Sequence, residues 1–129
     1  MTDSDALALH KTAAREFLNL VVAGRIEEAY RRFIDMQGRH HNPHVPEGLP
    51  ALKESMIDNH SRFPGKQITI RNVVGEGDLV AAHSLIVLNP GGETLSAVHL
   101  FRFRAGRIVE MWDCVQPVPA DLPNKDGAF

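Results

Sequence analysis

The feature that most constrains this chain is a change of hydrophobic period near Lys66. Before it apolar residues recur three and four apart, and after it they alternate. Helices must therefore come first and strands afterwards. Leu7, Ala14, Phe17, Leu18, Val21 and Val22 predict a helix over 5–23, with N-cap candidates in Thr2 to Asp5 and Gly24 as its stop. Ile26, Ala29, Tyr30, Phe33 and Ile34 predict a shorter second helix. Gly38, Pro43, Pro46, Gly48 and Pro50 forbid continuous helix, so Arg39 to His44 reads as a short extended piece entering a loop. Leu52, Met56, Ile57 and His60 predict a third helix, ended by Phe63-Pro64-Gly65.

Beyond the switch, alternating runs at 67–74, 79–88, 94–103 and 107–116 are divided by Glu76-Gly77-Asp78, Asn89-Pro90-Gly91-Gly92 and Arg104-Ala105-Gly106. Four strands joined by short turns predict an antiparallel meander, and helices followed by such a sheet is the α+β pattern. One domain is expected over 1–129, with its core at about 5–117 and an irregular tail at 118–129.

Charge removes several functions. Fourteen Lys and Arg against sixteen Asp and Glu leave a formal charge of −2, so no basic field exists for nucleic acid or anionic lipid. No apolar run approaches the roughly 18 residues that span a bilayer, and the N-terminus is acidic where a secretory signal would be basic. A cytoplasmic location and no membrane partner are the expectation. Cys114 is the single cysteine and cannot form an internal disulfide; with no cation beside it in sequence, it reads as a small buried hydrophobe rather than a nucleophile. No phosphate-cradling glycine loop and no nucleophile elbow occurs.

Chemistry is sought among the seven histidines. In the last two strands Ala97, His99, Phe101 and Phe103 share a face, and Met111, Asp113 and Val115 share one on the next strand. Counting outward from the turn at 105–106 sets residue 112 roughly opposite 99, making His99 and Asp113 close or diagonal neighbours. A carboxylate there would raise the imidazole pKa and suit it to acid/base work, or the two would simply satisfy each other as half-buried groups. His40-His41-Asn42-Pro43-His44 offers imidazoles on alternate residues, but nothing elsewhere completes a zinc set, so no metal is expected. Asn42 reads as a hydrogen-bonding group at a pocket wall or as a turn residue before proline. Parity does not choose a side for His83, and Trp112 reads as a core or interface anchor.

This order of elements resembles the SnoaL-like polyketide cyclase family, within the nuclear transport factor 2-like and ketosteroid-isomerase-like superfamily. The most specific pieces are His41-Asn42-Pro43 and the closing stretch Phe101 to Asp113, similar to a family signature ending in Glu-His-Trp-Asp. The resemblance implies a cone-like barrel, a curved antiparallel sheet wrapped around three N-terminal helices, with a deep apolar pocket and a homodimer through the outer sheet face. It implies cofactor-independent acid/base chemistry on a small apolar carbonyl compound, such as aldol-type cyclisation or a related lyase or isomerase reaction. Asp113 and His99 take the catalytic positions, and Asn42, His41, Phe17, Met56 and Met111 the substrate-contacting ones. Met111 stands where histidine is usual. Ketosteroid isomerase chemistry is not expected, because its tyrosine and two aspartates correspond to Phe17, Asn42 and His99, and asparagine is no base. The alternative reading is a binding or dimerising domain without catalysis.

Overall fold

The computed structural model describes residues 2–129. The first helix, α1 (Asp3–Val22), begins in a capping box: the Thr2 side chain accepts from the Asp5 backbone N–H, and the Asp5 carboxylate accepts from the Thr2 N–H. Next come α2 (Ile26–Phe33) and α3 (Leu49–Arg62), and five strands follow the chain order β1 (Ile34–His40), β2 (Gln67–Glu76), β3 (Leu79–Val87), β4 (Thr94–Arg104) and β5 (Arg107–Val118). They form one curved, unclosed sheet in the order β1-β5-β4-β3-β2. The helices pack on its concave face, and the fold is an α+β cone. Among the described residues no helix is long and apolar enough to cross a membrane.

The core is built from one stripe of each helix and alternate residues of the strands. Phe17 on α1 meets Phe101 on β4 edge-on at 5.8 Å and Tyr30 on α2 at 5.7 Å. Val80, Ala82 and Ser84 are buried along β3, while their neighbours Ala81, His83 and Leu85 face outward and are half-buried. His83 therefore lies on the outer face. There it contacts Ser96 Oγ at 3.2 Å and stacks on Phe129, so the tail folds back across that part of the sheet.

Two features differ from the sequence-based expectation. The meander gains a fifth strand: β1 runs parallel to β5, beginning at Ile34, read above as the end of a helix, and closing with Arg39-His40, the start of the short extended piece. Its burial does not alternate, so no period of two announces it. The second is a bulge in β5. Arg104 pairs with Arg107 and Phe103 with Ile108, but Arg102 pairs with Glu110, so Val109 is an extra residue. Beyond it His99 stands directly opposite Asp113 and Leu100 opposite Trp112, correcting the count that set 112 against 99. The bulge places Asp113 on the concave face. Gly38 of β1 permits the close approach, since a Cβ there would lie 2.3 Å from the Val109 carbonyl oxygen.

Candidate active-site cavity

A cavity of about 240 Å³ opens between α1, α3 and the concave sheet face. Its apolar wall includes Phe17, Val21, Leu52 and Met56, and its sheet side carries His99 and Asp113. Strand parity and the bulge bring these two together. Ala82, His99 and Asp113 form one row across β3, β4 and β5. His99 lies deep in the cone yet keeps part of its ring open to the cavity, while its Nδ1 is sealed without a partner. Burial pushes the His99 pKa below its ordinary value, and the nearby Asp113 charge opposes this more weakly. The expectation that the carboxylate would raise that pKa is thus reversed: desolvation wins, and the neutral ring is favoured at neutral pH.

Asp113 binds a third residue rather than His99. Asn42 Nδ2 donates to Asp113 Oδ2 at 2.9 Å, and Asn42 Oδ1 accepts from the His44 backbone N–H at 2.8 Å. The backbone contact orients the amide, and the amide then orients the carboxylate. Asn42 itself follows a fixed imidazole: its N–H donates to His40 Nδ1 at 3.1 Å, so His40 Nε2 carries the proton it gives to the Pro46 carbonyl at 2.8 Å. The loop that precedes α3 is thereby tied to the carboxylate.

His41 and Met111 stand apart from this cavity, contrary to the substrate-contacting positions expected for them. Met111 is buried in the core cluster, because the bulge turns it inward beside Ile108. His41 turns to the other side, stacks on Trp112 at 5.0 Å and contacts Glu110 Oε2 at 2.6 Å. That His41 hydrogen bond, followed by the charge of Arg39 and a hydrogen bond from Arg102, holds the Glu110 carboxyl below its usual range. The adjacent imidazoles of His40 and His41 thus diverge, and among the described residues no group of three His, Cys, Asp or Glu is placed to hold a metal.

The opposite wall of the cavity was not foreseen. Ser55, Asn59 and Arg62 of α3 and Lys66 of the following turn all line it. The 52/55/56/59 spacing on α3 was a signal available in the sequence, because it puts these residues on the stripe of Leu52 and Met56. Lys66 had no such signal, since it lies where neither period applies.

The model of the SnoaL-like domain matches residues 14–111, which takes in the second half of α1, all of α2 and α3 and most of the sheet but ends before Asp113. No curated protein matches the chain. Among solved structures, AclR of Streptomyces galilaeus, described as a candidate hydroxylase, is 19% identical with a TM-score of 0.72, covering 84% of this chain and 90% of that one. An NTF-2-like protein of unknown function from Burkholderia xenovorans LB400 is 19% identical with a TM-score of 0.71, covering 90% and 88%. A candidate polyketide cyclase from Acidithiobacillus ferrooxidans is 21% identical with a TM-score of 0.68, covering 84% and 88%. At these identities the likeness is one of fold.

Proposed function

Because this chain belongs to the SnoaL-like domain family, we propose that it is a cofactor-independent enzyme that moves protons on a small apolar carbonyl compound, in aldol-type cyclisation or a related lyase or isomerase reaction. The observation that carries the reading is the cross-strand row that sets Asp113 and His99 on one wall of the cavity, with Asn42 holding the carboxylate. The description of one structural neighbour as a candidate polyketide cyclase supports the same class.

Roles follow from hydrogen bonding. Asn42 occupies Asp113 Oδ2, leaving Oδ1 to take a proton from the carbon beside the substrate carbonyl. His99 Nδ1 is sealed without a partner, and a buried orphan N–H is rarer than an orphan acceptor, which favours the tautomer with the proton on Nε2. A neutral Nε2–H facing the cavity donates to the developing enolate oxygen without charging the ring. In a cyclisation the electron pair freed from the C–H bond forms the new bond to a second carbonyl carbon of the same molecule. The oxygen of that carbonyl then takes up the proton that Asp113 received, which returns the carboxylate to its starting state.

The test is exchange of the α-protons of 2-tetralone in D2O, followed by NMR. The wild-type chain is expected to accelerate exchange over buffer, and Asp113→Asn to remove the acceleration while keeping the fold. Equal acceleration by Asp113→Asn would take Asp113 out of the chemistry. A second reading, a domain that binds apolar ligands without catalysis, draws on the absence of a His99–Asp113 hydrogen bond, since Asn42 already satisfies the carboxylate. It predicts saturable binding of 2-tetralone with no exchange.

A further inference from the structure

The α3 side of the cavity has a chemistry that proton transfer at Asp113 does not use. Lys66 is half-buried and lines the cavity, and its ammonium donates to Asn59 Oδ1. Among the described residues no carboxylate forms an ion pair with it, although Lys53, Arg62 and Arg102 all have one. Burial pushes the Lys66 pKa below the ordinary lysine range, the sign of an ammonium that lacks a compensating charge.

Its neighbours are donors as well. With Asn59 Oδ1 occupied by Lys66, the Asn59 Nδ2 hydrogens remain for a ligand, and Ser55 lies one helical turn away at i−4. Arg62 adds a second cation at the same wall, though its Nε already meets Asp58 at 3.1 Å. The acidic lining residue is Asp113, which stands on β5 and is engaged by Asn42. The cavity therefore has one pole that takes protons and one that presents hydrogen-bond donors and an unbalanced positive charge.

We propose that Lys66, Asn59 and Ser55 form an anion subsite, and that the ligand is an amphipathic acid whose carboxylate docks there while its apolar carbonyl-bearing body lies toward His99 and Asp113. A carboxylate supplies the counter-charge that Lys66 lacks, and charge-assisted hydrogen bonds in a partly desolvated site are the stronger kind. Anchoring one end also fixes which carbon meets Asp113 Oδ1. The inference rests on reading this cavity as the ligand site, and it does not require that any reaction occur there.

Equilibrium binding of 2-naphthoate and of 2-acetonaphthone tests it, because the two share shape and differ in charge. The wild-type chain is expected to prefer naphthoate by roughly tenfold, the worth of a charge-assisted hydrogen bond. Lys66→Met should lose that preference, and Lys66→Arg should keep it. Amide shifts at Asn59 and Lys66 should follow the naphthoate titration. Equal affinities in the wild type, or a preference that survives Lys66→Met, would overturn the anion subsite and leave the ligand cavity standing. Binding of neither compound, or shifts confined to the outer sheet face, would overturn the cavity reading and the subsite with it.

Discussion

Two residues in the cavity carry opposite electrostatic problems, and each has a measurable consequence. His99 lies deep in the cone with part of its ring open to the cavity, and desolvation sets its folded pKa below the unfolded value near 6.5. Between those two values the unfolded chain holds more protons, so the stability contributed by neutral His99 is present above about pH 6.5 and is lost as pH falls toward the folded pKa. The urea midpoint should therefore drop between about pH 7.5 and about pH 5.5, and His99→Gln should make that drop smaller. An identical drop in the variant would mean that His99 titrates normally. Asn42 acts through Asp113, so Asn42→Ala should slow 2-tetralone exchange by roughly 10- to 100-fold, the value of one hydrogen bond to a charged group, with little change in KM. A change in KM alone would make Asn42 a binding group instead. The sequence made His99, Asp113 and Asn42 legible through parity and motif position. It could not show that burial outweighs the carboxylate at His99, which depends on how α1 and α3 close over β4. Nor could it show Lys66 as a cavity residue, because a lysine in a turn reads as solvent-facing until the fold encloses it.

At the scale of elements, the bulge in β5 decides the site. Without Val109 as an extra residue, Trp112 would stand opposite His99 and Asp113 would face outward. The helices and four of the strands were legible because their periods are clean, whereas the bulge was not: Ile108-Val109-Glu110 looks like ordinary alternation. Glu110 braces this point from both sides, accepting from Arg102 of β4 and pairing with Arg39 of β1. Gly38→Ala should destabilise the fold by about 1–3 kcal/mol in urea unfolding, because the added Cβ meets the Val109 carbonyl. A neutral outcome would mean that β1 tolerates a wider separation. The adjoining turn also carries strain. Ala105 has φ 52° and Gly106 φ 76°, a type I′ pattern in which alanine is poorly suited to the first position. Ala105→Asn is expected to stabilise the chain by about 0.5–1 kcal/mol, read as a raised Tm.

At the scale of the whole molecule, the α+β cone follows from helices that bury one stripe each and a sheet that must curve to cover them. Only the Arg39-His40 end of β1 read as extended, and its membership of the sheet escaped the sequence reading because it is set by pairing with the last strand, a contact between residues more than seventy positions apart such as Ile34 and Ile108. The outer face tests a different expectation, that two copies meet there. Val74 is 62% exposed and Val98 36%, while Phe129 covers the neighbouring His83. If the outer face pairs, sedimentation should give a dimer that Val98→Glu converts to monomer; a wild-type monomer at high concentration would end that idea. The central claim concerns the inner face, where one cavity presents Asp113 and His99 to the same ligand. A crystal structure of the chain with 2-tetralone measures this most directly. The account predicts the ketone inside the cavity, its oxygen facing His99 Nε2 and its α-carbon within reach of Asp113 Oδ1. A ligand bound outside the cavity, or held with its α-carbons turned away from Asp113, would contradict it.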